Sequence, residues 1–182
     1  HDLPDHDAVA FSQAMQMVGK ELYNTNGQVN GHCLTTTADN KDSLAKRGIA
    51  WTFATKENIE AAFAEMARVA KPQDVVLIYF SGHGKTFPVD GNDQFHYLTN
   101  EASRANISTL SLRRNTTISS TEIREWLKQS VASTKVLIID ACNSGPIIHD
   151  IAAASQQLHP PQHPSLIPHC RCRPPYPSIR RP

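Results

Sequence analysis

The chain has 182 residues, room for one domain with a sizeable core and too few for two ordinary ones. Its 18 Lys+Arg and 17 Asp+Glu give a net charge of +1, so no nucleic-acid partner is implied. The longest apolar run, Val75 to Phe80, is six residues, far short of a bilayer span, and no membrane partner is expected.

Four cysteines, at 33, 142, 170 and 172, are too scattered for a small secreted disulfide framework. The chain opens on His1 with no charged-then-apolar leader, which reads as a fragment or a processed form. Eight of the 12 prolines lie between Pro160 and Pro182. Residues 151–182 hold four arginines and no acid, which leaves 14 basic residues against all 17 acids in residues 1–150. The sequence divides into a mildly acidic body, 1–150, and a basic, proline-rich tail, 151–182, read as disordered or foreign to the fold.

Along the body, Val9, Phe11, Met15, Val18 and Leu22 recur at helical spacing and predict a helix over Ala8 to Leu22. Turn residues Asn24, Asn26 and Gly27 come next, then a short strand over Gln28 to Thr36, then a polar loop from Asp39 to Gly48. Thr55 is placed to cap a helix over Lys56 to Ala70, whose buried stripe is Ile59, Phe63, Met66 and Ala70, with Pro72 past its end. Val75 to Phe80 is a continuous apolar run rich in β-formers. Apolar side chains on both faces predict a strand covered by helices on each side, as in a parallel sheet. Lys85 to Thr117 is polar, with strand signal near Phe95 to Leu98. Ser119 and Glu122 have capping-box spacing for a helix over Thr121 to Ser130, and Lys135 to Asp140 is a second apolar strand. Strand, helix and strand in alternation predict an open α/β sheet with right-handed crossovers.

In such sheets, sites form beyond the carboxyl ends of the strands. His83 and Cys142 each lie just past the end of an apolar strand, His83 between two glycines and Cys142 three residues before Gly145. A thiol needs a base or a lowered pKa to attack at neutral pH, and imidazole is the usual base. The amides of Gly84 and Cys142 can together offer an oxyanion hole. Either residue alone also reads as a turn histidine or a buried, inert cysteine. At matching strand ends, the pairing favours chemistry.

Two segments carry a resemblance: Asp74-Val-Val-Leu-Ile-Tyr-Phe-Ser-Gly-His-Gly84 and Val136-Leu-Ile-Ile-Asp-Ala-Cys-Asn-Ser-Gly145. They are similar to the His and Cys motifs of caspase-like cysteine peptidases, in forms closer to metacaspases and bacterial caspase-like proteins than to animal caspases. Their His and Cys stand 59 positions apart, near the spacing of that family. Leu3-Pro4, Asp7-Ala8, Ala54-Thr55 and Asn58-Ile59 also look like the family. The resemblance implies a three-layer α/β/α sandwich with a mostly parallel sheet. It implies a cysteine endopeptidase, with Cys142 as nucleophile and His83 as base and then acid. Asp140, with Ser81, is expected to bind the substrate residue before the cut. A buried carboxylate there would pair with Arg or Lys, so protein or peptide substrates with basic residues are expected. Asp140 also reads as a carboxylate capping the turn after its strand.

The family's first strand should precede Leu3-Pro4, where this chain has no room for it, and further strands should come after the Cys motif. The tail cannot supply them, because proline lacks the ladder donor. The abrupt change in composition reads as a shifted or mispredicted reading frame, ahead of a truncated or degenerate chain. An inactive caspase-like scaffold or interaction module is therefore the alternative function. A nucleotide-binding reading of Ser81 to Thr86 lacks its first glycine, because Tyr79 stands there.

No cofactor is required by this reading and no metal ligands are assigned. Some members of the resembling family require calcium, so a calcium dependence is open. Asp90, Asn92, Gln94 and Glu101 have calcium-loop spacing, but Phe95 replaces the turn glycine. His163, His169, Cys170 and Cys172 are a weak metal set on a poor scaffold. Arg113-Arg114 suits a basic-specific self-cleavage site or, more simply, a solvated loop. A working thiolate favours a reducing compartment, so a cytoplasmic location is expected.

Overall fold

The computed structural model describes residues 3–22, 29–142 and 144–147. The tail and its cysteines lie outside the described residues. Helix α1 runs Leu3–Leu22, followed by strand β1 (Gly31–Thr35), helix α2 (Lys41–Ala45), strand β2 (Ile49–Phe53) and helix α3 (Lys56–Val69). Strand β3 (Val75–Gly82) leads through His83 into a hairpin, β4 (Gly84–Val89) and β5 (Asn92–Leu98). Short helices α4 (Arg104–Ile107) and α5 (Leu110–Thr116) precede β6 (Thr117–Ser119), α6 (Ser120–Gln129) and β7 (Thr134–Ala141).

β1 pairs with β2 and β3 with β7, both parallel, while β4, β5 and β6 form an antiparallel sheet. The expected α/β architecture is present. Side chains alternate across β3, so Tyr79 and Phe80 leave opposite faces. Phe11 of α1 stacks on Tyr79 at 4.3 Å. On the other face Phe63 of α3 stacks on Phe80 at 6.3 Å and meets Trp126 of α6 at 5.2 Å. Helices therefore lie on both sides of the strands, and Phe95, Ile118 and Ile123 fill the main core with no exposed surface.

Helix ends obey the sequence signals. The Thr55 hydroxyl accepts from the Asn58 N–H and starts α3. Ser119 and Glu122 close both halves of a capping box at α6. At α1, the buried Asp5 carboxylate accepts from the backbone N–H of Thr36 and of Thr37, which joins the helix start to the end of β1.

Three expectations change, and an alternative already set aside meets a second objection. Residues 39–48 are not wholly a loop: α2 forms there because Leu44 is fully buried against Val9, Cys33 and Ile49. β2 is not expected from the sequence pattern, and neither is β4. The Asp90-Gly91 turn, with positive φ at both residues, is the two-residue hairpin signal that announces β4 and β5. β3 and β7 are covered only in part on the face that carries Tyr79. Val75, Leu77, Val136 and Ile138 are exposed among the described residues, since these strands pair only with each other and α1 covers the Tyr79 end. Finally, Gly84-Lys85-Thr86 opens a strand rather than a helix, which removes the phosphate-loop reading.

No strand precedes α1 among the described residues, and β1 and β3 are not hydrogen-bonded to one another. Arg113 and Arg114 sit in α5, not in an open loop. The Arg113 guanidinium lies 3.9 Å over the Phe87 ring, and the Arg114 carbonyl accepts from Lys56 Nζ at 2.6 Å.

Candidate active site

The register of β3 against β7 builds the site. Ser81 pairs with Asp140 and Gly82 with Ala141, so the chain leaves both strands at one level. The next residues are His83 and Cys142. Both are exposed, and Cys142 is a free thiol. The alternative of a buried, inert Cys142 is thereby removed. Cys33, by contrast, is buried on β1, and that burial raises its thiol pKa.

Gly84 shows how closely the two ends approach. A β-carbon there would run into the Phe95 ring and stand 2.5 Å from the carbonyl oxygen of Cys142. Only glycine lets the backbone after His83 lie against the backbone of Cys142. The Leu98 N–H donates to the His83 carbonyl at 2.9 Å, which makes Gly84 and Tyr97 a non-hydrogen-bonded pair of the antiparallel ladder. The Gly84 N–H therefore takes no part in that ladder.

Asp140 is exposed, which corrects the expectation of a buried carboxylate. No hydrogen bond caps a turn with it among the described residues. Ser81 and Tyr79 occupy the face of β3 that matches Asp140, because register partners share a face. The Tyr79 hydroxyl pKa is raised, first by burial and then by the charges of Asp140 and Asp7, against a hydrogen bond with Ser81 that lowers it. Asp7, an exposed residue in the first turns of α1, thus adds a second carboxylate charge felt by Tyr79. The two motifs do not single it out; its place in the Asp7-Ala8 segment is the available signal.

A family model described as "Metacaspase, peptidase C14 domain" matches residues 12–151. The chain belongs to the metacaspase family of cysteine peptidases. No curated protein matches it. The match runs through the His83 and Cys142 strand ends and stops close to residue 150, where the composition changes. In this metacaspase domain no three His, Cys, Asp or Glu side chains gather to hold one ion among the described residues. No helix among them is long and apolar enough to cross a membrane.

Proposed function

We propose that this metacaspase domain is an endopeptidase that cuts after Arg or Lys, using Cys142 as nucleophile and His83 as its base. The observation that carries the reading is the register of β3 and β7, with the Cys142 carbonyl against Gly84. His83 takes the thiol proton, and the Cys142 sulfur attacks the carbonyl carbon of the scissile bond. The oxyanion that forms is held by the N–H groups of Gly84 and Cys142. His83 then gives its proton to the departing amine, which breaks the C–N bond and leaves a thioester. Water, deprotonated by His83, attacks that thioester. The acid product leaves, and the proton on His83 returns to the thiolate.

Asp140 opposite Ser81, with the charge of Asp7 reaching Tyr79, makes a setting that suits a guanidinium or ammonium and disfavours an acidic residue before the cut. The test is cleavage of fluorogenic peptides ending in Arg, Lys or Asp, under reductant, with and without added calcium. Cleavage after Arg and Lys that disappears in Cys142→Ala and in His83→Ala is expected. Activity that survives Cys142→Ala overturns the reading, and preference for Asp overturns the role of Asp140. The exposed apolar face of Leu77, Val136 and Ile138 favours a second reading, a caspase-like interaction module. A folded chain with no peptidase activity under any of these conditions would support it.

A further inference from the structure

We infer that Tyr97 is a positioning residue for His83, its hydroxyl and ring holding the turn that brings His83 to the level of Cys142. The inference rests on the reading of His83 and Cys142 as a catalytic pair. Three consecutive residues at the end of β3 are gripped from β5. The Tyr97 hydroxyl donates to the Ser81 carbonyl at 2.8 Å. A β-carbon on Gly82 would stand 2.7 Å from the Tyr97 Oη and 3.2 Å from its ring carbons Cε2 and Cζ. The Leu98 N–H donates to the His83 carbonyl.

Tyr97 is itself held. Its ring lies 4.8 Å from that of Phe80 and packs against the main core. Its neighbour on the same face of β5, Phe95, fills the space over Gly84 in the same way. The two aromatic side chains thus bracket His83 by sitting over the glycine on each side of it. Burial, then Asp5 and Tyr79, push the Tyr97 hydroxyl up to about 12. It stays protonated across the working range of a Cys–His pair, as a donor to a carbonyl must. An imidazole can serve a thiol only within hydrogen-bond reach, so a turn free to pivot would spend much of its time out of range.

Tyr97→Phe removes the bond to Ser81 and keeps the ring. We expect kcat on an Arg-ended peptide to fall about 5-fold or more. The second readout needs no turnover. Iodoacetamide alkylates the thiolate with loss of iodide, and mass spectrometry of the Cys142 peptide tracks its rate against pH. Wild-type and His83→Ala profiles should differ, with Tyr97→Phe displaced towards His83→Ala. Thr99→Val is the control. It loses a comparable buried hydroxyl-to-carbonyl bond, to Thr116 at 2.8 Å rather than to the end of β3, and should keep the wild-type profile.

Coincident wild-type and His83→Ala profiles overturn the pair itself. A His83-dependent profile that Tyr97→Phe leaves unchanged overturns only the role of Tyr97, and an equal displacement in Thr99→Val reduces that role to general stability. Should Tyr97→Phe not fold, Gly82→Ala takes its place. Its methyl would push the Tyr97 hydroxyl off the Ser81 carbonyl, and a folded Gly82→Ala with the wild-type profile refutes the inference.

Discussion

The carbonyl oxygen of Cys142 lies against the α-carbon of Gly84, so close that a β-carbon on Gly84 would stand 2.5 Å from it. This contact joins two turns that are distant in sequence, and one methyl group tests it. Gly84→Ala also drives that methyl into the Phe95 ring, which has no exposed surface into which to move. Overpacking of this kind costs about 1–3 kcal/mol. Denaturant melts should show that loss, and peptidase activity should fall by at least about 10-fold, since the two turns must separate to fit the methyl. A variant with wild-type stability and rate would mean that the turns do not meet in solution.

Charge at the proposed substrate pocket makes a second expectation. Asp140 and Asp7 both act on Tyr79 from the face that carries Ser81. A hydrogen bond to a charged partner contributes about 1.5–3 kcal/mol, equivalent to about 10- to 100-fold in kcat/KM. Asp140→Asn and Asp7→Asn should each lower kcat/KM on Arg-ended peptides within that range. Their rates of Cys142 alkylation should stay near wild type. Unchanged selectivity in both variants would assign the basic preference elsewhere.

His96 sets a pH dependence of stability. It is buried on β5, with Nδ1 at 2.8 Å from the Thr117 hydroxyl and Nε2 at 3.1 Å from Gln94 Oε1. Its pKa is lowered from 6.5 to about 4, chiefly by burial, then by the positive charges of Arg113 and Lys56, with Glu122 opposing. The unfolded chain takes up a proton below about pH 6.5 that the folded protein refuses until about pH 4. The contribution is therefore complete above pH 6.5 and is lost as the pH falls through about 4. Its full size is about 3 kcal/mol. Thermal melts should decline over that interval, and His96→Gln should flatten the decline whatever its absolute stability. An equally steep decline in the variant would place the titration on another group.

The two strand ends are legible in the sequence because each is a short apolar run that stops abruptly, at Ser81-Gly82 and at Asp140-Ala141, with His83 and Cys142 next in line. The helix starts at Thr55 and Ser119 are equally plain, since a capping residue acts through backbone groups only three positions away. β4 and β5 are harder to read, although Asp90-Gly91 carries their signal, because Lys85-Thr86 and Asn92-Asp93-Gln94 open them with polar residues. α2 resembles loop because it is five residues long and depends on Leu44 reaching a pocket made by Val9, Cys33 and Ile49. Tyr97 has no signature of its own, and Asp7 has only its place in the Asp7-Ala8 segment. Their neighbours at the site come from strands far along the chain.

The sequence alone dictates which side chains stand past each apolar strand, where two helices begin, and that a body of about 150 residues differs in composition from the tail. The register comes from tertiary structure. Sliding β7 by one residue against β3 would turn Asp140 to the other face and take Ser81 from its partner. Tertiary structure also leaves Leu77, Val136 and Ile138, apolar enough to read as buried, exposed among the described residues. A run of apolar residues records what a strand is able to bury. Which neighbours arrive to cover it depends on chain far away in sequence, and no local pattern encodes that.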